Sequence, residues 1–201
     1  MKSRSAIGFT LIELMVTITM IGIVLTVGVP SFQSSIRNSV LTAGINEFIA
    51  ALNFARGEAI KRGVNVTVRR ASAGSAVTLF CNAAKQTGYE VGWQVFTDAN
   101  ANGQLDGTDQ LLRTHGPLSY GYTLCGNGNV NKDYISYLPD GVINTLGCSL
   151  ALCDPTHTSP LTTSTARVIS VNTLGRITLA TDTNGNGILT YSSGAGSCAI
   201  P

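Results

Sequence analysis

The chain has 201 residues, enough for one domain or one domain with an appendage. Charged residues are 12%, about half the roughly 25% usual in soluble domains, yet mean hydropathy is +0.23, so one concentrated apolar stretch is attached to a body rich in Gly, Ser, Thr and Asn. A disordered chain, a coiled coil and a polytopic membrane protein are excluded, and a formal net charge of +2 provides no strong field for nucleic acid.

Lys2 and Arg4 come first, and the remainder of the chain is charge-balanced, more basic before position 90 and more acidic after it. Phe9 to Val29 then reads FTLIELMVTITMIGIVLTVGV, with one charge, Glu13. As a helix this stretch spans about 30 Å, the hydrocarbon thickness of a bilayer. Basic residues ahead of it predict a cytoplasmic N-terminal end and an exported body. The run is too long for an ordinary secretory signal, and Val29-Pro30-Ser31 is a poor cleavage site. A carboxylate in a membrane helix costs roughly 2.5–3.5 kcal/mol on insertion scales, so Glu13 calls for a reason.

Gly8-Phe9-Thr10-Leu11-Ile12-Glu13-Leu14 resembles the class III signal of type IV pilins and pseudopilins. The resemblance implies cleavage by a prepilin peptidase between Gly8 and Phe9 and methylation of the new Phe9 amine. It also implies that Glu13 pairs with the terminal amine of a neighbouring subunit. Residues 1–8 would be the leader and 9–29 the membrane and filament-core helix. Gly22 and Pro30 sit where pilins place helix-weakening residues, and a proline there should bend the helix.

From Phe32 to about Arg62 the pattern becomes amphipathic. Ile36, Val40, Phe48, Leu52, Ala55 and Ala59 recur at multiples of about four, with Arg37, Glu47, Arg56 and Lys61 off the stripe. Residues 30–62 should therefore continue the helix, and Gly63 should stop it. Residues 63–201 should form a β-rich domain, with strands at Asn65–Arg70, Val77–Cys81, Trp93–Thr97, Gln110–Thr114, Tyr134–Leu138, Ala166–Asn172 and Arg176–Ala180. The expected class is α+β, a long helix on antiparallel β-structure with one wet face. Pro155–Thr165 reads as a surface loop.

Ala55-Arg56-Gly57-Glu58-Ala59-Ile60-Lys61-Arg62, Gly92-Trp93-Gln94-Val95-Phe96-Thr97-Asp98-Ala99-Asn100 and a late Gly175-Arg176 narrow the resemblance. They look like the minor pilins and pseudopilins of the GspH/FimT type, with FimU-like features. Between Tyr120 and Thr165 the sequence has loops of its own. The likeness implies a structural subunit that initiates or caps a filament. Its partners would be other minor and major pilins or pseudopilins, the prepilin peptidase and the inner membrane, with the C-terminal domain in the periplasm. Pilus biogenesis and type II secretion both use such a subunit.

Asp98, Asn100, Asn102, Gln104, Asp106 and Asp109 have the oxygen spacing of an EF-hand loop, with Gly103 at the sharp turn. Calcium is the ion that would fit, and a metal-free hairpin turn is the alternative. Position 12 is Asp rather than Glu, and a strand rather than a helix precedes the loop. Asp182-Thr-Asn184-Gly-Asn186-Gly187 repeats the opening with too few anionic ligands. No other cofactor is expected.

Cys81, Cys125, Cys148, Cys153 and Cys198 lie in the part expected to be exported, where disulfides are favoured over metal. Two bridges and one leftover thiol are expected. The resemblance implies Cys153 with Cys198; Cys81 with Cys125 is the second pairing, and Cys148 competes for Cys153 through a tight local loop. His115 and His157 stand alone in the sequence, so zinc is not expected.

Gly175-Arg176-Ile177-Thr178 resembles part of the GRxR motif through which FimT-like proteins contact DNA, but Thr178 replaces the second arginine. A DNA face would need Arg176 beside Arg69 and Arg70, since affinity grows with the number of phosphates neutralised. No nucleophile elbow, phosphate-binding glycine loop or His/carboxylate pair is visible, so an enzyme is not expected.

Overall fold

Thr10 opens the first element. Its hydroxyl accepts the Glu13 amide at 3.3 Å and its carbonyl accepts the Leu14 amide at 3.2 Å, which makes it the N-cap. Helix α1 then runs from Leu11 to Arg62, continuous through Gly22 and Pro30. It ends where Gly63 turns left-handed, at φ +68, and returns its amide to the Ala59 carbonyl at 2.9 Å. Lys61 and Arg62 complement the negative end of the helix dipole.

The computed structural model describes residues 8–71, 91–118, 121–126, 134–144, 147–154 and 166–181, with the backbone alone at 27, 30, 125 and 126. Lys2, Arg4, the strand expected at Val77–Cys81, the loops at 155–165 and 182–187, His157, Cys198 and the Cys125 side chain lie outside that description. The chain divides after Ser39 into two units, taken here in turn.

The first unit is the apolar helical segment. Every large apolar side chain from Phe9 to Leu25 is exposed, between 49% at Val16 and 83% at Phe9. Ile36, expected on the buried stripe, is also exposed.

The second unit holds the rest of α1 and eight strands among the described residues. These are β1 (Val66–Arg70), β2 (Trp93–Thr97), β3 (Leu111–His115), β4 (Thr123–Gly126), β5 (Tyr134–Tyr137), β6 (Cys148–Cys153), β7 (Ala166–Val171) and β8 (Ile177–Leu179). They form two four-stranded antiparallel sheets, ordered β3-β2-β1-β5 and β4-β6-β7-β8. Register aligns apolar rows across each sheet: Ile135, Val68 and Val95 in one, Leu150, Ile169 and Leu179 in the other. Helix residues Leu41, Ile45, Phe48, Leu52, Ala55 and Ala59 join side chains of both sheets in one core. The fold is α+β, as expected.

The stripe steps by four and three alternately, whereas steps of four alone drift round a helix of 3.6 residues per turn. That drift puts Ile36 outside the buried stripe and brings Leu41 and Ile45 into it. Strands β4 and β6 lie in the 120–165 stretch, where the sequence pattern predicts only the strand at Tyr134–Leu138. Cys148-Ser-Leu-Ala-Leu-Cys153 is buried at every position, so it lacks the alternation by which a half-wet strand is recognised.

Candidate functional site

In the first unit the helix is arranged for an apolar environment. Thr17 donates its hydroxyl to the Leu14 carbonyl at 2.8 Å, Thr19 to Val16 at 2.8 Å and Thr26 to Ile23 at 2.9 Å. Each hydroxyl is satisfied inside the helix, so the segment can be surrounded by lipid or other helices without orphaned polar groups. Glu13 occupies the third helical position of a Thr-x-x-Glu box, where the amide ends favour an anion. Among the described residues no cation stands within ion-pair distance of its carboxylate. By length and composition this helix is able to cross a membrane.

The β2–β3 loop holds the calcium candidates. Asp98 is fully buried. One of its oxygens accepts the Asn102 amide at 3.0 Å; the other accepts the Gly103 amide at 2.9 Å and the Thr67 hydroxyl at 2.7 Å. Asn100 accepts the Asn102 amide at 3.2 Å, and Asn102 accepts the Gln104 amide at 2.7 Å. Asn102 also donates to Asp106 at 2.7 Å, while Asp109 accepts the Ala99 and Asp106 amides at 3.3 and 3.2 Å. The loop's own N–H groups thus occupy these oxygens. Gly103 must be glycine: φ is +72, and a side chain would strike the Tyr134 ring.

Arg56 explains the motif that closes α1. Its Nε donates to the Gly141 carbonyl at 3.0 Å and its Nη2 to Leu174 at 3.2 Å. Gly141 lies in the turn after β5 and Leu174 in the β7–β8 hairpin, so one guanidinium joins the helix to both sheets. Glu58 lies against Lys61 and Arg62, and Arg62 also reaches Gln110 at 2.7 Å. The Arg62 hydrogen bond, with both neighbouring cations, holds the Glu58 carboxyl below the usual range.

The DNA candidates are not assembled. Arg176 is exposed on the β7–β8 hairpin, but Arg70 is 2% exposed and Arg69 donates to the Gly103 carbonyl at 2.9 Å. Gly175 has φ +72 and packs against the Gly141 carbonyl and Tyr137, which accounts for the glycine of the Gly-Arg pair by the turn itself.

The sequence matches the model of the family described as type II transport protein GspH over residues 44–175. It matches that of the prokaryotic N-terminal methylation motif over residues 3–29. This chain belongs to the GspH family. Two relatives named "fimbrial protein", from Pseudomonas aeruginosa, are 31% identical over 120 residues, spanning 56% of this chain and 70% of theirs. The fold is shared with the type IV minor pilin FimU of P. aeruginosa, at TM-score 0.51 and 19% identity, over 70% of this chain and 88% of that one. The minor pseudopilin EpsH of the Vibrio cholerae type 2 secretion system aligns at TM-score 0.45 and 15% identity, over 69% and 94% of the two chains.

Within this GspH-family domain the structure adds residues that the sequence left unassigned and corrects two expectations. Cys148 and Cys153 lie at opposite ends of β6. Five strand steps separate their Cα atoms by about 16 Å, far beyond disulfide reach, so no local bridge joins them. A His/carboxylate pair, not expected from the sequence, does exist. His115 Nε2 stands 3.0 Å from Glu47 Oε2, and Nδ1 stands 2.6 Å from the Gly116 carbonyl. The partners are 68 positions apart, and only the docking of β3 against α1 brings them together. With both ring nitrogens engaged, the imidazole has none left to activate a nucleophile. Arg113, two residues before His115, sets its guanidinium 4.4 Å from the Phe54 ring centre, a second contact between β3 and α1.

Proposed function

We propose that this chain is a minor pilin of a type IV pilus, processed between Gly8 and Phe9 and methylated on Phe9, whose residues 9–29 pass from the inner membrane into the filament core. The observation that carries this reading is the N-terminal segment: apolar and exposed on all sides, hydroxyls satisfied internally, and one carboxylate, Glu13, without an ion-pair partner among the described residues. Such a surface is stable only within lipid or among other helices. A carboxylate in that setting calls for a cation supplied from outside the helix, and the Phe9 amine of a neighbouring subunit has the right chemistry. Residues 1–8 are the leader, 30–62 the amphipathic continuation, and 63–201 the domain presented to the periplasm and then on the filament. Gly22 and Pro30 are where the helix gives during packing. The domain acts by assembly with other pilins and needs no cofactor; the filled oxygens of the Asp98 loop support an ordinary turn there.

Glu13→Ala tests the reading. The variant should be cleaved and inserted normally yet be reduced at least about tenfold in sheared pili, the effect of losing roughly 1.4 kcal/mol or more of pairing. Wild-type levels in pili would refute the role of Glu13.

The family description supports a second reading, a pseudopilin of type II secretion. Deleting the chain in its source distinguishes the two. Loss of surface pili with intact exoprotein release favours the pilus; the converse favours secretion. The FimT-like DNA reading is weakened by the burial of Arg70 and the engagement of Arg69. Gel shifts across a salt series should show no binding at physiological salt.

A further inference from the structure

Of the four Asn-Gly pairs in the chain, only Asn102-Gly103 lies among the described residues. Such pairs are where asparagine is thermolabile, because a glycine leaves its backbone nitrogen unhindered beside the side-chain amide. The Gly103 nitrogen bonds to Asn102 Cγ and gives its proton to a solvent base. The Cγ–Nδ2 bond breaks, and Nδ2 leaves as ammonia after taking a proton from water. Water then opens the succinimide at either carbonyl, leaving aspartate or isoaspartate. Closure therefore needs a Gly103 amide stripped of its proton and two residues free to reach the ring geometry.

The β2–β3 loop denies both. Gly103 is buried, and its N–H donates to Asp98 Oδ2 at 2.9 Å, a carboxylate that is itself fully buried. Removing that proton breaks a charge-assisted hydrogen bond and sets an amide anion against a carboxylate, two like charges in a poorly screened place. The same Oδ2 is held from β1 by the Thr67 hydroxyl at 2.7 Å. The Gly103 carbonyl accepts Arg69 Nη1, also on β1, at 2.9 Å, and its left-handed backbone rests against the Tyr134 ring on β5. Asn102 is fastened as well: Oδ1 accepts the Gln104 amide at 2.7 Å, Nδ2 donates to Asp106 at 2.7 Å, and the backbone N–H donates to Asp98 Oδ1 at 3.0 Å. The pair is tied to the sheet and not only to its own loop.

We propose that Asn102-Gly103 is a latent deamidation site shielded by Asp98, open to succinimide closure only when the loop lifts from the sheet. Conversion is self-reinforcing. It adds a negative charge beside Asp98 and Asp106, and the isoaspartyl form lengthens the main chain by one carbon where Gly103 already meets the Tyr134 ring. A converted loop cannot reseat, so a transient opening becomes a permanent one.

The full chain in detergent micelles is aged at mildly alkaline pH, and peptide mass spectrometry with fragmentation follows conversion at Asn102, with the urea-unfolded chain as reference. Asn102 should convert about ten- to a hundredfold more slowly in the folded chain, the weight of one charge-assisted hydrogen bond. Hydrogen exchange at the Gly103 amide passes through the same deprotonation and should be slowed at least about tenfold. Asp98→Asn keeps the shape and an acceptor oxygen but removes the charge; in material with native Trp93 fluorescence it should convert at least about threefold faster than wild type. Should that variant not hold its fold, the wild-type exchange rate decides alone. Folded and unfolded chains converting within about threefold of each other, a Gly103 amide exchanging at the unfolded rate, or a folded Asp98→Asn chain as resistant as wild type would each overturn the shield.

Discussion

Asp98→Ala removes the carboxylate that organises the β2–β3 loop, and the structure fixes what is lost. Asp98 accepts the Gly103 amide at 2.9 Å, the Thr67 hydroxyl at 2.7 Å and the Asn102 amide at 3.0 Å. Asn102 retains Asn100 as a partner at 3.2 Å, so two donors, both in buried contacts, are orphaned. Each costs about 1–3 kcal/mol, for a total of about 2–6 kcal/mol. At about 2–4 °C per kcal/mol for a chain of this size, a central loss of about 4 kcal/mol lowers Tm by about 8–16 °C. Trp93 fluorescence of the full chain during heating reads this directly. Thr67→Val in both backgrounds closes a double-mutant cycle, with an expected coupling of about 1 kcal/mol or more. A calcium-held loop behaves differently, because Asp98, Asp106 and Asp109 would then matter comparably and only with the ion present. From the hydrogen bonds alone, Asp109→Ala should cost under about 1 kcal/mol, since Asp109 accepts only two long, exposed amide contacts. A fall of less than about 2 °C in Asp98→Ala, or a difference that vanishes with chelator, refutes the reasoning.

Two further substitutions probe the joint between the sheets. Gly175→Ala meets a left-handed backbone at φ +72 and drives a methyl into the Gly141 carbonyl; strain and overpacking together should cost about 2–4 kcal/mol in urea unfolding. Gly107→Ala, at φ +38 but with open space around it, is the control, and equal losses at both sites would sink the packing argument. Tyr137→Phe removes a buried hydroxyl that has no hydrogen-bond partner among the described residues, so stability at pH 7 should hold or rise by about 1 kcal/mol. Burial raises the Tyr137 hydroxyl above the ordinary tyrosine range. The native state therefore holds its proton more tightly than the unfolded chain, and wild type loses stability as pH rises past about 10. Melts at high pH should show the phenylalanine variant losing less.

The sequence displayed what depends on local pattern. Helix α1 with Gly63 as its stop and strand β2 at Trp93–Thr97 both appear where residue spacing places them. It concealed what depends on packing between distant segments. Strand β6 has no alternation because it is buried at every position, and its extended length forbids the pairing of its terminal cysteines. Arg56 lies off the apolar stripe and reads as solvated, yet it meets carbonyls 85 and 118 positions away. The Glu47–His115 pair was hidden for the same reason. Arg70, at a strand end, reads as polar; its burial arises only when β1 becomes central in its sheet.

The two units of the chain answer to different physical criteria, which explains the contrast within a single helix. Up to Val29 the requirement is that no polar atom be left unmet in an apolar surround, and the Thr17, Thr19 and Thr26 hydroxyls meet it locally, over three or four residues. From Val40 onward the requirement is a stripe that matches a sheet, and the alternation of four- and three-residue steps from Leu41 to Ala59 meets that. Substitutions should separate accordingly. Phe48→Ala removes a fully buried ring set edge-on to Trp93 and should destabilise the domain by about 3–5 kcal/mol. Leu14→Ala, on the exposed apolar segment, should leave the domain's unfolding midpoint unmoved while reducing recovery of the chain with membranes or pili. A shift of the midpoint by Leu14→Ala comparable to that of Phe48→Ala would mean that the two segments share one core, contrary to the division drawn here.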